Sequence, residues 1–503
     1  MPTLQQRGKV FEANSHDDKD LGFSHSEAMI EHATFQSNAE TPPLIDEAKV
    51  LRKMDLHLIP ILSLLYLLCF LDRGNIGNAK IEGLLDDLHM TGAQYNMCLT
   101  VFFITYSTFE LPSNLVLKRL RPSIWLPTIM IGVGVVMTLM GIVRNYHGLL
   151  IARIFLGVAE AGLYPGVAFY ITMWYCRHEA QLRQAMFFSA ASVAGAFSGL
   201  LAFGIAKMDG VAGLEGWRWI FILEGILTVC VSIAAFFVIS DYPATASFLT
   251  EEERAWVIAR LRAQYAGNVE VSERFQWRYL WQALSDFQIY LSLIVWYGIV
   301  CPLYGVSFFL PSIIKDLGYS SSNAQLLTVP IYVTAAAVAV VSAWLSDRAK
   351  QRSPFLLFHL SCIVIGFTIV IASAGKGVPG VVYAGIFLAV SGIYPALPGI
   401  VTWLSNNLAG EYKRATGMAL QIGIGNFAGA MASNFYRTQD APSYYLGHSL
   451  ELGLAVAGLV ATICLRFVYQ RINKSRSAKG TEGLVAEEIA RMGDKSPAFR
   501  YIL

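Results

Sequence analysis

One stretch decides the fold of this chain: residues 153–166, which read RIFLGVAEAGLYPG. It lies in an apolar segment and ends in the tripeptide YPG, which returns as YPA at residues 394–396, 230 positions later. A second pattern, G-x-F-x-G, occurs at 195–199 and again at 425–429 with the same offset. Because both matches share one offset, the sequence predicts two related halves that repeat the same order of apolar segments.

The composition places these halves in a membrane. Of the 503 residues, 55% are hydrophobic and 15% are charged, whereas soluble domains carry about 25% charged residues. A membrane-spanning helix needs roughly 20 mostly apolar residues, and twelve segments of the chain meet this requirement. The predicted spans are 57–80, 93–114, 122–143, 148–173, 183–206, 217–239, 287–311, 323–346, 355–374, 379–403, 413–436 and 446–469.

We predict an all-α membrane protein of twelve transmembrane helices in two six-helix bundles, the architecture of the major facilitator fold. Lipid offers no hydrogen bonds to the backbone, so segments of this length form helices, and the sequence lacks the ten-residue alternating strands of a membrane barrel. The predicted units are a disordered cytoplasmic tail (1–50), the first bundle (51–239), a cytoplasmic linker with a short amphipathic helix (240–286), the second bundle (287–470) and a cytoplasmic tail (471–503).

Basic residues in short loops set the predicted orientation. Lysines and arginines cluster before span 1 and after spans 2, 4, 8, 10 and 12, whereas the alternate loops are poorer in them. Both termini are therefore predicted to be cytoplasmic. In the linker, Thr250 and Glu253 form a capping-box pattern at the start of the predicted helix. We expect a monomer in the plasma membrane, with a vacuolar membrane as the alternative.

Four ionisable residues are predicted to converge in the spans of the first half: Asp72, Arg73, Arg153 and Glu160. An unpaired charge in the membrane costs roughly 3 kcal/mol on insertion scales, and more in simulations. These residues must therefore pair with one another or face an aqueous cavity. Arg153 and Glu160 are seven residues apart, which places both on nearly the same face of a helix, two turns along.

The spans of the second half carry almost no ionisable residues and offer neutral hydrogen-bonding groups instead: Tyr297, Tyr304, Gln421 and Asn426. This asymmetry predicts that the first half recognises an anion and carries protons, while the second half supplies shape and neutral contacts. An arginine presents a planar fork that suits a carboxylate. Buried acids are the usual proton carriers of transporters.

Four stretches resemble the anion:cation symporter branch of the major facilitator superfamily, and within it the fungal allantoate/nicotinate-type permeases. They read LDRGNIGNA at 71–79, ELPSN at 110–114, RIFLGVAEAGLYPG at 153–166 and WRWIFILEG at 217–225. The resemblance extends over about residues 50–475.

The resemblance implies a role for each charged residue of the first half. It implies that Arg73 binds the substrate carboxylate, that Asp72 and Glu160 are protonation sites, and that Arg153 partners Glu160. It also implies that Asn426 contacts the substrate. The alternatives are structural: an ion pair that holds helices together for Arg73 and Glu160, a charge at the outer rim for Asp72, and a helix-bridging amide for Asn426.

The superfamily's loop signature follows span 8, where residues 342–352 read SAWLSDRAKQR without the leading glycine. By this resemblance, Asp347 and Arg348 form a cytoplasmic gate, with anchoring by positive charge as the alternative. Glu110 and Glu224 are expected to be structural.

The function predicted is a proton-coupled symporter of a small organic anion, such as a nicotinate- or allantoate-like monocarboxylate, that works by alternating access. The alternative is a major facilitator exporter of a secondary metabolite or drug-like compound, although span 5 lacks the Gly-Pro signature of drug antiporters. We expect no enzymatic activity, cofactor or metal, because neither a catalytic constellation nor ligand spacing stands out. With a net charge of +2, no nucleic-acid partner is expected; the partners are the anion, protons and the lipid bilayer.

Overall fold

The computed structural model describes residues 45–117, 120–266, 277–409, 411–479 and 492–503. Most of the predicted N-terminal tail lies outside the described residues, as do ten residues of the linker and part of the C-terminal tail.

Each of the twelve predicted spans coincides with a helix, and two of these helices are interrupted. The helices are α1 (Glu47–Ala79), α2 (Gly92–Leu117), α3 (Pro122–Met140), α4 (Tyr146–Glu160 and Leu163–Trp174), α5 (Arg177–Ile205), α6 (Gly216–Val238), α7 (Phe287–Asp316), α8 (Ser321–Ala349), α9 (Ser353–Ser373), α10 (Pro379–Asn407), α11 (Glu411–Gly425 and Phe427–Ala432) and α12 (Tyr445–Lys479). The major facilitator fold predicted from the sequence is confirmed.

Length and composition identify nine of these helices as membrane spans on their own, counted within the described residues. Not among the nine are α2, α5 and α11. Of these, α5 begins with the polar stretch RHEAQLRQ at 177–184, and α11 begins with EYKR at 411–414. We call the face at which α1 begins and α12 ends the terminal face, and the other the opposite face.

Local signals explain where several helices begin. Pro122 and Pro379 occupy first positions, where a missing N–H costs nothing. The side chain of Asn145 accepts from Gly148 N at 2.8 Å at the start of α4, and Ser320 accepts from Asn323 N at 3.3 Å at the start of α8.

Three helix pairs supply most of the contacts between the two bundles: α1 with α7, α2 with α11, and α5 with α8. Glycines permit the third of these approaches. A methyl group on Gly195 would lie 2.7 Å from Tyr332 Cδ1, and one on Gly199 would lie 2.6 Å from Gln325 O. Small residues at such positions let helix backbones meet, so these glycines let the two bundles pack closely.

The linker contains the helix Glu251–Ala266 and a second short helix, Trp277–Leu284. The predicted capping box is confirmed, because Thr250 N donates to Glu253 Oε2 at 2.8 Å and Glu253 N donates to Thr250 Oγ1 at 3.3 Å. Lys53 of α1 also donates to Glu253, at 2.7 Å. The linker is therefore fastened to the first bundle.

The C-terminal residues 492–503, predicted as part of a tail, pack against the terminal face of the second bundle. The carbonyl of Ile502 accepts from Trp403 Nε1 at 2.8 Å and from Asn407 Nδ2 at 3.0 Å. Tyr501 stacks on Tyr469 with ring centroids 4.5 Å apart. Hydrophobicity along the sequence does not reveal this docking, because it rests on hydrogen bonds from side chains to the backbone of the segment and on one buried acid, Asp494.

Candidate functional site

A cavity lies between the two bundles, and the space between packed helices is a common location for small-molecule sites. Its wall is mostly aromatic and aliphatic. The side chains that line it come from both halves: Tyr66, Phe70, Arg73, Tyr106, Tyr164 and Gln184 from the first, and Trp296, Val300, Leu303, Tyr304, Leu397, Pro398, Val401, Thr402, Ile422 and Asn426 from the second.

Arg73 is the one charged residue among the described side chains that line this cavity. It is 6% exposed. Its Nε forms an ion pair with Glu160 Oε1, and its Nη1 donates to Tyr304 OH at 3.0 Å. The guanidinium also lies 4.9 Å from the ring centroid of Tyr106, within the distance of a cation–π interaction. Arg73 thus joins α1, α2, α4 and α7 at one point.

Glu160 lies directly behind Arg73 and is fully buried. It is the last residue of the first part of α4, where the helix is interrupted. Besides the pair with Arg73, its Oε1 accepts from Cys69 Sγ at 3.0 Å, while Oε2 has no partner among the described residues. A single carboxylate therefore holds the guanidinium that faces the cavity.

The partner of Glu160 differs from the one predicted, which was Arg153. Seven residues along a helix correspond to about 10 Å, so Arg153 shares a face with Glu160 but stands two turns away. Arg73 approaches from the neighbouring helix α1 and takes the contact. Helical spacing indicates a shared face, whereas ion pairing needs a shared height as well.

Asp72 and Arg153 lie deeper in the first bundle, and each is 1% exposed. Within the described residues, neither oxygen of Asp72 has a hydrogen-bond partner, and the same holds for Nε and Nη2 of Arg153. Asp72 lies within electrostatic reach of Arg153, Glu160 and Glu224. The four predicted charges therefore gather in one bundle core, and Arg73 is the member that borders the cavity.

Two acidic residues that were expected to be structural join this arrangement. Glu224 of α6 is 2% exposed and accepts from Asn75 Nδ2 at 2.5 Å. Glu110 of α2 accepts from Asn426 Nδ2 at 3.0 Å, across the interface between the bundles. The one hint in the sequence was the polar residue Asn75, which lies three residues after Asp72 and therefore on the same face of α1. A buried amide at that position needs a partner, and Glu224 is the partner that the structure shows.

Of the four neutral residues predicted for the second half, Tyr304 and Asn426 line the cavity. Asn426 occupies the interruption of α11. The other two face elsewhere: Tyr297 OH donates to Ile424 O at 2.8 Å, and Gln421 Nε2 donates to Ser292 Oγ at 2.6 Å. The spans of the second half were expected to carry almost no ionisable residues, and Glu451 of α12 is an exception that is fully buried.

The predicted gating pair lies at the terminal end of α8 and is exposed. Asp347 pairs with Arg352 at 2.5 Å, and Arg348 lies 5.5 Å from the Trp344 ring. Both partners belong to the second bundle.

The opposite face is closed by contacts between the bundles. Lys315 Nζ and Ser321 Oγ donate to Ile81 O at 2.7 and 3.1 Å. The cavity instead extends toward the terminal face, because Gln184 and Thr402, which line it, lie near the helix ends at that face.

Comparisons with known proteins agree with this architecture. A family model described as Major Facilitator Superfamily matches residues 62–433. The chain is 37% identical over 470 residues to the MFS-type transporter cnsO of Penicillium expansum, with 90% of each chain covered. It is 34% identical over 494 residues to the high-affinity nicotinic acid transporter of Saccharomyces cerevisiae, with 97% of this chain and 91% of that protein covered.

Among solved structures, a bacterial homologue of the human lysosomal transporter Spinster, in an inward-facing and unoccupied conformation, superposes with a TM-score of 0.63. The match covers 81% of this chain and 95% of that one at 15% identity, so it shows the fold alone. The chain belongs to the Major Facilitator Superfamily, and it is a membrane transporter.

Proposed function

We propose that this transporter is a proton-coupled symporter of a small organic anion, a monocarboxylate of the nicotinate or allantoate kind. The observation that carries the proposal is the position of Arg73: a buried cation at the wall of the cavity between the bundles, held by one acid, Glu160. The relative named as a nicotinic acid transporter supports the substrate class.

The coupling follows from competition for one guanidinium. Arginine has five N–H donors, and Arg73 uses two of its nitrogens for Glu160 and Tyr304. When Glu160 takes up a proton it loses its charge, and Arg73 then attracts a substrate carboxylate instead. The anion and the proton bind together because each makes the other's site favourable. Asp72 would also take up a proton, and Arg153 would act on it as a fixed positive charge within electrostatic reach.

The aromatic wall would hold the rest of the substrate. Phe70, Tyr106 and Trp296 offer flat apolar surfaces, onto which a planar ring can stack. Asn426, oriented by Glu110, supplies a neutral amide at the other side of the cavity. The proposed substrate is therefore a small acid with a flat or compact body.

Transport would proceed by alternating access of this one site. The basic loops at the terminal face favour a cytoplasmic location for it, so the conformation described, closed at the opposite face, would be the inward-facing one. Asp347 and Arg348 would restrict the terminal face when the bundles rock to the outward-facing state.

The test is uptake by purified protein in proteoliposomes, with labelled nicotinate and a panel of other carboxylates, under an imposed proton gradient. Arg73→Ala removes the guanidinium that would bind the substrate carboxylate, a charge-assisted contact that contributes about 2 kcal/mol, so we expect uptake at low substrate concentration to fall roughly 30-fold. Glu160→Gln should abolish proton-driven accumulation and retain exchange. Arg144→Gln, in the loop before α4, is the matched control.

Three results would contradict the proposal. The first is undiminished proton-driven accumulation in Glu160→Gln. The second is that a proton gradient does not accelerate the uptake of any carboxylate by the wild type. The third is accumulation that needs a gradient of the opposite sign, which would favour the exporter instead.

A further inference from the structure

Among the side chains that the structure describes, the helices of the second bundle contain one buried acid that the mechanism above does not use. Glu451 of α12 is 0% exposed, and neither of its carboxylate oxygens has a hydrogen-bond partner within the described part of the chain. An ionised carboxylate left unpaired in a membrane helix costs several kcal/mol. The site therefore favours the protonated acid and binds a proton tightly.

The carboxyl group packs against the backbone of α7 at Gly305. A methyl group on that glycine would overlap Glu451 Oε1 and would lie 3.2 Å from Tyr436 Cε2. The preceding residue, Tyr304, accepts the hydrogen bond from Arg73. A change in the charge of Glu451 therefore acts on the helix that also contacts the anion-binding arginine.

A route of polar groups leads from Glu451 to the opposite face. Tyr436 OH and His448 Nδ1 lie 3.2 Å apart, and both residues are buried. His448 is one turn before Glu451 on α12, hence on the same helix face. It also lines a pocket of about 690 Å³ at the opposite face, together with Asp316 and Ser443.

The other groups around Glu451 are neutral. Cys301 of α7 lies within electrostatic reach, and α9 contributes the apolar ring of Phe367 beside His448. At the pocket, Tyr444 OH donates to Asp316 at 2.5 Å. Among the described residues, no cation forms an ion pair with Glu451. Its protonation is therefore governed by access to the proton route.

We propose that Glu451 is a second proton-binding site, loaded from the opposite face through His448 and Tyr436. This inference rests on the proposed proton coupling. In the relay, His448 takes a proton from water in the pocket. Tyr436 gives its hydroxyl proton to the carboxylate and receives the Nδ1 proton of His448. Tyr436 therefore ends unchanged, and His448 ends as its other neutral tautomer, which a further exchange of protons with the pocket water resets. One bridging water, or a different rotamer of Glu451, completes the last step.

The first test needs no substrate. Infrared difference spectra of the purified wild type in lipid should contain a protonated carboxyl band that responds to bulk pH and is lost in Glu451→Gln. Tyr436→Phe keeps the ring and removes the hydroxyl, and should slow the response of this band to a pH jump at least tenfold. Tyr444→Phe, which removes a hydroxyl outside the relay, is the matched control and should leave the rate unchanged.

The second test is transport of labelled nicotinate. Glu451→Gln should lower proton-driven accumulation at least tenfold while exchange stays within twofold. Three results would each overturn the inference. They are infrared spectra that show an ionised Glu451, a carboxyl band that does not change with bulk pH, and accumulation in Glu451→Gln equal to that of the wild type. Failure of the wild type to respond to a proton gradient would overturn the proposed function instead, and the infrared spectra would still decide whether Glu451 binds protons from this face.

Discussion

Lys413 is the strongest single point at which the C-terminal segment is held to the second bundle. Its Nζ lies 2.5 Å from Asp286 Oδ2 and 2.7 and 2.9 Å from the two oxygens of Asp494. The side chains of all three residues are 4% exposed or less. One ammonium group therefore neutralises two buried carboxylates that belong to different parts of the chain.

Replacement of this lysine in Lys413→Met should release the segment 492–503. Removing one partner of a buried ion pair costs about 3 to 5 kcal/mol, because the remaining charge is left uncompensated. Here two carboxylates of like charge remain side by side, so the upper part of that range applies. At 1.4 kcal/mol per tenfold change, about 4 to 5 kcal/mol should raise the local opening equilibrium roughly 700- to 4,000-fold.

The assay is limited trypsin digestion of the purified protein, with cleavage after Lys495 and Arg500 followed by mass spectrometry. Under conditions in which cleavage is slower than reclosing, its rate reports the opening equilibrium. The exposed Lys474→Met is the matched control and should digest like the wild type. In the double variant Lys413→Met with Asp494→Asn, one unpaired charge is gone, so protection should recover in part. A Lys413→Met protein that is cleaved less than tenfold faster than the wild type would refute the reasoning.

Three further outcomes are expected. Tyr304→Phe removes the hydroxyl that accepts a hydrogen bond from Arg73, a loss of about 0.5–1.5 kcal/mol. The apparent KM for the transported anion should therefore rise roughly 2- to 12-fold. An unchanged KM in the uptake assay would show that this contact does not orient Arg73. Gly199→Leu adds a side chain where α5 meets the backbone of α8, so it should hold the opposite face open. The rate at which a thiol reagent labels a cysteine introduced at that face should then rise. Equal labelling of Gly199→Leu and wild type would contradict that account. The pKa of Glu253 lies below its usual range, because Lys53 and the backbone N–H of Thr250 at the capping box both donate to its carboxylate. The resulting stabilisation of the linker, about 0.5 kcal/mol at a surface, is present above the ordinary glutamate pKa and is lost as the pH falls through the lowered pKa. Proteolysis of the linker should therefore increase at acid pH in the wild type and be independent of pH over that range in Glu253→Gln.

The sequence by itself determined the twelve spans, the two related halves and the identity of the charges that lie within the first bundle. These properties are local. Whether about twenty residues can cross a membrane depends on their own hydrophobicity and on backbone hydrogen bonds that close within the segment. The break of α4 at Glu160 and of α11 at Asn426 also fell at residues that the sequence had singled out.

Only the tertiary structure decided which charges meet. It paired Glu160 with Arg73 rather than Arg153, and it docked residues 492–503 through Asp494. It also placed Glu451 beside Gly305 with no hydrogen-bond partner among the described residues. Sequence spacing gives the face of a helix on which a side chain lies, but the height and rotation of neighbouring helices come from packing along their whole length. An ion pair forms within a few ångströms, so such small shifts between helices determine its partner.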